Sequence, residues 1–358
     1  MFRFLKTKTA SLVGIDISTS FVKILALSRS NGRYIVENYG IEFLPAQSVV
    51  EKNIKDVYKV GETIRRLMKQ MDCHRSCAAV AVSGSSVLNR VIQLNADLNE
   101  AEMMDHIEVE ADRYIPYPLE EVYYDFEILG PVPKHPEIVN VLLAATRIET
   151  LDVRVAAIAE ADLKATIVDV EGLAIESAFR LIAEHLPSRG MDCNIALIDI
   201  GATNSTLYVF KNLSSIYSRD QAFGGKHLTD EIQRRYGLSL EEAIAAQKYG
   251  GLPEDYTTEV LMLFKETVVQ QIGRAFQVFF SSTEEAEIHY IVLAGGVSML
   301  PGLDTLIQEK LNIKTSIINP FLDMDIADRV NKKGLMEDSA GLVLVCGLAL
   351  RNFDNESY

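Results

Sequence analysis

Residues 12–27 read LVGIDISTSFVKILAL: an apolar run ends on an acid, Asp16, passes through the hydroxyl cluster Ser18, Thr19 and Ser20, and resumes as a second apolar run. A carboxylate delivered by an apolar strand is costly to bury unless a cation or a ligand answers it. The stretch therefore reads as a site. The same grammar restarts at residues 194–212, NIALIDIGATNSTLYVFKN, where Asp199 takes the place of Asp16, and Gly201, Ala202, Thr203 and Asn204 that of the hydroxyl cluster. One repetition about 180 residues apart predicts two related lobes built by duplication, since solenoid repeats recur at tens of residues. The expected fold class is α/β, with lobes over residues 1–190 and 191–358. A chain of 358 residues is also longer than one hydrophobic core usually serves.

Two such turns fit a nucleoside triphosphate. Small side chains let backbone N–H groups approach phosphate oxygens, and the hydroxyls of Ser18, Thr19, Ser20 and Thr203 add donors. Lys23 supplies a positive point charge. Two carboxylates beside a triphosphate repel it unless a cation intervenes, so Asp16 and Asp199 imply Mg²⁺, held through its water shell. The plainer alternative is that both aspartates are strand-end turn residues. A later run, IVLAGGVSMLPG at residues 291–302, delivers Gly295, Gly296 and Val297 from a strand into a turn where a base or ribose can lie against the backbone. FGGKHLT, residues 223–229, places Gly224, Gly225 and Lys226 at a helix start, another point of close approach.

Between the two openings, residues 85–93 read as a strand, 99–113 as a helix, and 121–129 and 138–147 as two more strands, with the stiff YIPYP at 114–118 among them. This predicts an α+β subdomain inserted in the first lobe over residues 84–162. The second lobe should carry a helical subdomain over about residues 225–288.

Lys and Arg number 35 against 50 Asp and Glu, a net charge of −15, which argues against nucleic acid as a partner. No apolar run approaches the ~20 residues that cross a bilayer. The opening MFRFLKTKT lacks the apolar core of a secretory signal; Phe2, Phe4 and Leu5 are either a frayed end or a weak membrane contact. Cys73, Cys77, Cys193 and Cys346 are too scattered for a disulfide framework and fit a reducing cytosol. Cys73, His74 and Cys77 in CHRSC have no second ligand pair at a finger-like spacing, so ordinary thiols are the simpler reading.

Taken in order, acid turn, acid turn, paired glycines at a helix start and paired glycines after a late strand, the chain resembles the actin-like ATPase superfamily of actin, sugar kinases and heat-shock chaperone ATPase domains. The inserted subdomain resembles the FtsA and PilM branch. GIDIS, VVEKNI, EADRYIPYPLEEV, FGGKHLTDEIQRRYGLS, GGLP, YIVLAGG and CGLALR are similar to the PilM family of type IV pilus assembly, over essentially the entire chain. The resemblance implies an actin-like ATPase fold, two duplicated lobes around a nucleotide cleft with an FtsA-like insertion, binding ATP and Mg²⁺ with weak or absent hydrolysis. It implies a cytoplasmic protein held at the inner membrane by a partner, gripping the N-terminal cytoplasmic peptide of PilN and, through it, serving PilO, PilP and the pilus motor ATPases. By position Glu171 resembles an acid that orients water, or else a helix N-terminal acid favoured by the dipole. Val87, Arg90, Tyr114 and Tyr117 are the expected peptide-binding residues, from their place in the insert. Thr203 and Asn204 stand where many relatives have a second glycine, and Glu242 and Lys248 are approximate counterparts of ribose contacts. Two alternatives stay open: a small-molecule kinase, for which no acid beyond Glu171 is placed, and a self-associating FtsA-like filament. The tail LRNFDNESY, residues 350–358, is too short and acidic for that filament's membrane anchor.

Overall fold

The computed structural model describes residues 11–353, apart from the side chains of Lys248 and Tyr249. Phe2, Phe4, Leu5, residues 354–358 and the Lys248 side chain thus lie outside the described residues. The chain divides into one unit of Met1–Ile175 with Leu344–Tyr358, and a second of Glu176–Val343. A boundary at residue 190 was expected; it falls instead within the helix Glu171–Leu181, and the end of the chain returns to the first unit.

Backbone contact explains that return. A Cβ built on Gly347 would fall 1.7 Å from the Ala174 carbonyl oxygen, and one on Gly14 would fall 2.5 Å from that of Val345. The C-terminal helix Val343–Leu350 therefore lies against both the first strand and the start of Glu171–Leu181, at distances that only glycine permits.

The sheet of the first unit runs Lys164–Val170, Cys77–Val82, Leu12–Ile17, Phe21–Ser30, Arg33–Phe43, with the first three strands parallel and the last two added as an antiparallel meander. Leu12–Ile17 is buried along its whole length, as expected for a strand covered on both faces. Val13, Ile15 and Ile17 join a core with Val60, Ile64 and Leu67 of the helix Val57–Gln70 and with Leu151, Ala157 and Ile158 of the helix Ile148–Glu160. Leu12, Cys77 and Ala79 face the opposite layer, with Ala174 and Leu348. Asp56 starts Val57–Gln70 by accepting from the Lys59 N–H at 3.0 Å.

The second unit repeats this order of roles: Ser214–Gln221, Ser205–Lys211, Asn194–Ile200, Tyr290–Ala294, Thr315–Ile317, again an antiparallel meander joined to parallel strands. Its helices Lys226–Tyr236, Leu240–Tyr249 and Met262–Ser282 occupy the segment expected to be helical. Phe264, Ile272, Phe276 and Phe279 of the longest pack with Val209, Ile291 and Leu293 of the sheet.

The inserted layer is a three-stranded antiparallel sheet, Val87–Asn95, His135–Arg147, Val122–Val132, with His135–Arg147 central. Met103 and Ile107 of the helix Glu100–Val109 pack on Ile92, Leu94, Val141 and Leu143. Asn99 begins that helix with a capping box, its side chain accepting from the Glu102 N–H at 3.1 Å and its own N–H donating to Glu102 Oε2 at 2.9 Å. The single helix read over 99–113 is broken at Glu110, and a short turn, Ala111–Tyr114, follows. The insert was expected to reach residue 162. It ends near Arg147, because the buried stripe of Ile148–Glu160 belongs to the core of the main sheet.

Gly347→Ala should lower stability by about 3 kcal/mol or more, since the methyl meets backbone that cannot rotate away. Urea unfolding of the variant beside the wild type checks this; an unchanged midpoint would show that the close helix contact is dispensable.

Candidate functional site

Each unit presents its aspartate on the strand that enters a hairpin. Asp16 is paired across the ladder with Lys23, and Asp199 with Thr206. Ile17 opposite Val22 and Ile200 opposite Ser205 leave four-residue turns, 18–21 and 201–204. The closing bond is the same in both: Ser18 N–H to the Phe21 carbonyl at 2.9 Å, and Gly201 N–H to the Asn204 carbonyl at 2.9 Å. The sequence repeat is thus a repeat of register and hydrogen bonding.

In the first unit Asp16 is 6% exposed, and Lys23 Nζ lies 3.1 Å from its Oδ2. A cation therefore answers the buried carboxylate within the protein itself. The Ser18 hydroxyl turns inward, accepting from the Phe21 N–H at 3.1 Å, whereas Thr19 and Ser20 are half-buried. Glu171, at the start of its helix, is held by Lys52 Nζ at 2.7 Å. Lys52 and Glu51 form the tip of the small hairpin of Val49–Val50 and Asn53–Ile54, both with left-handed backbone, φ 63° and 50°. Arg154, absent from the sequence-based set, is only 4% exposed and donates from Nη2 to the Lys52 carbonyl at 2.9 Å. Burial pulls its guanidinium below the ordinary arginine range, while the charges of Glu171 and Asp16 push it back up. Its signal was legible: Leu151, Arg154, Ala157 and Ile158 are the buried stripe of one helix, and an arginine at such a position needs anionic or carbonyl company.

In the second unit three glycines gather around the turn 201–204. Gly225 and Lys226 donate their N–H groups to the Gly201 and Ala202 carbonyls at 2.9 and 2.7 Å. A Cβ on Gly224 would come within 2.5 Å of the Gly201 oxygen. Gly295 has φ +83°, and a Cβ there would meet the Ile200 oxygen at 2.3 Å and Asp199 Oδ1 at 2.5 Å. The glycines read as points of ligand approach thus first serve to let backbone close over the Asp199 turn. Gly296 borders open space, whereas Val297 is buried in the core of this unit. Lys226 Nζ is held on its own helix by Asp230 Oδ1 at 2.7 Å, and Glu242 caps its helix by accepting from the Ser239 N–H at 2.8 Å.

Of the residues expected to bind peptide, Arg90 and Tyr117 are exposed, Tyr114 is half-buried against the core of the insert, and Val87 is buried. Arg90 is exposed and donates to the Arg113 carbonyl at 2.8 Å. The Tyr114 hydroxyl donates to Glu110 Oε2 at 2.9 Å; burial and that carboxylate raise its pKa above the ordinary tyrosine range. Tyr117 lies beneath the Arg147 guanidinium, 4.7 Å from its ring centre. Val87 is 9% exposed and packs into the core of the main sheet, so its side chain faces inward. Among the described residues no group of three or more His, Cys, Asp or Glu side chains is arranged to hold a metal ion. Cys73 is half-buried and Cys77 buried, while His74 pairs with Asp72 at 3.1 Å, as ordinary thiols and a surface histidine.

Comparison with known proteins agrees with this architecture. The family model described as type IV pilus assembly protein PilM matches residues 14–353. The cell division protein FtsA of Bacillus subtilis (strain 168) is 24% identical over 353 residues, covering 86% of this chain and 78% of FtsA. Among solved structures, a PilM-PilN type IV pilus biogenesis complex superposes with a TM-score of 0.76 at 24% identity, covering 96% of this chain and 98% of that one. The ethanolamine utilization protein EutJ of Carboxydothermus hydrogenoformans gives a TM-score of 0.57 at 12% identity, covering 97% and 92%. The fold is the actin-like ATPase fold.

Gly295→Ala should destabilise the second unit by roughly 2–3 kcal/mol or more, because both the positive φ and the contact with Asp199 oppose a methyl. Amide exchange at Gly201, Gly225 and Lys226 should quicken. Unchanged protection at those amides would show that the turn is held without Gly295.

Proposed function

The chain belongs to the family of type IV pilus assembly protein PilM, and on that premise we propose that it is an ATP-binding adaptor of the pilus assembly complex, gripping the N-terminal cytoplasmic tail of PilN. The duplicated aspartate turn carries the nucleotide part of this reading, since both units close a four-residue loop with the same bond and begin it with three small residues after the acid-bearing strand. Such loops bring backbone N–H groups against phosphate oxygens. Lys23 and Lys52 add positive charge in the first unit. Glu171 is ion-paired and so is not presented as an unencumbered base, in keeping with slow or absent hydrolysis.

The donor set also bears on magnesium. With no cluster of three or more ligating side chains among the described residues, the chain offers no cage of its own. That fits an ion brought in with the phosphates, with Asp16 and Asp199 reaching it through its water shell. When bound, it would neutralise phosphate charge beside the two carboxylates.

The partner follows from the family and from the solved PilM-PilN complex that shares this fold. Arg90 and the Tyr117–Arg147 pair give the insert exposed cationic and aromatic groups suited to an extended peptide, with Tyr114 half-buried nearby in the chain. PilO, PilP and the motor ATPases would be reached through PilN. No helix among the described residues is long and apolar enough to cross a membrane, so PilN would also supply the membrane attachment.

A synthetic PilN tail titrated calorimetrically into the protein without nucleotide, with Mg-ADP and with Mg-ATP tests this directly. Tighter binding with Mg-ATP is expected, and by linkage the peptide must tighten ATP by the same factor. No binding in any state would overturn the PilN reading. Arg90→Glu should weaken the peptide about tenfold or more while leaving ATP affinity unchanged.

A further inference from the structure

The VVEKNI hairpin, residues 49–54, has no part in the turns described above, yet its tip is held twice. Arg154 donates to the Lys52 carbonyl, and the Lys52 ammonium pairs with Glu171. Glu51 and Lys52 are the two loop residues of a tight hairpin, and the positive φ of both is the geometry such a turn favours. The surroundings here are charged: Arg154 feels the carboxylates of Glu171 and Asp16, which also pair with Lys52 and Lys23. Each carboxylate already has a lysine, at 3.1 Å and 2.7 Å.

Among the described residues the Arg154 guanidinium makes no carboxylate pair of its own. It carries five N–H donors, and the bond from Nη2 to Lys52 is the one its side chain makes among the described residues. Its other nitrogens are not among the buried atoms lacking a partner, so they face the small part of the residue that solvent reaches. A fixed, largely desolvated fork of donors suits a phosphate oxygen better than it suits water.

We propose that Arg154 is a phosphate-binding residue of the first unit, donating to the polyphosphate of the nucleotide, with the Lys52 hairpin and Glu171 holding it in place. This rests on the nucleotide reading above and adds to it the residue that senses the phosphate chain. Ile148–Glu160 follows directly on the last strand of the insert, so the helix that carries Arg154 begins where the inserted sheet ends.

The test is calorimetric titration of the full chain and of Arg154→Gln and Arg154→Lys with ATP, AMP and inorganic tripolyphosphate, with thermal unfolding of each variant alongside. Arg154→Gln should lose roughly 10- to 100-fold in affinity for ATP and tripolyphosphate, the range of a lost charged hydrogen bond, with little change for AMP. Arg154→Lys, which keeps the charge without the fork, should fall between, and it decides the matter if the glutamine variant fails to fold. Variants that bind ATP and tripolyphosphate as the wild type does would overturn the proposal and leave the nucleotide reading standing. An equal loss for AMP and ATP would also overturn it, by showing a purely structural role. Wild type that takes tripolyphosphate through Arg154 but not ATP would uphold Arg154 and remove the nucleotide, and binding of neither would remove both.

Discussion

Backbone lying directly on backbone is the constraint from which the rest of this structure follows. In the first unit the C-terminal helix rests on Gly14 and, through Gly347, on the Ala174 carbonyl. In the second, Gly224 and Gly295 let two later segments close over the Asp199 turn. Contacts of this kind are not adjustable by rotamer, so they constrain where strands and helices sit. The aspartate turns are among the places so fixed.

Charge is arranged with the same economy. Asp16 and Glu171 are each matched by a lysine, and the buried Arg154 is tied to a carbonyl rather than to a carboxylate. Elsewhere in the first unit Asp169, fully buried, is joined to Arg351 near the end of the chain. A buried charge without a partner is far more costly than either arrangement. The Arg351 guanidinium meets a carboxylate, whereas that of Arg154 meets a carbonyl.

Much of the fold was legible. The repeated strand, acid, turn and strand predicted two related units, and the structure repeats even the bond that closes each turn. The helix starts at Asp56, Asn99 and Ser239 rest on capping bonds within three residues, a local signal the sequence carries. The ends were harder. The break at Glu110, the limit of the insert near Arg147 and the helix that crosses from one unit into the other depend on which core each segment joins. Val87 shows this at one residue: strand pattern alone does not say which of two cores, the insert's or the main sheet's, takes its side chain.

The sequence by itself determined the duplication, the α/β class, the aspartates with their small-residue turns and the family, because each of these is carried by residues close together in the chain. Tertiary structure alone decided that Lys23 answers Asp16, that Lys52 answers Glu171, that Arg154 joins them, and that Gly347 seats the last helix on Ala174. Three of these pairings link residues more than 100 positions apart, where no period or cap relates them. Only the folded chain brings the charges near enough for Coulomb attraction, and the backbones near enough for sterics, to choose between partners.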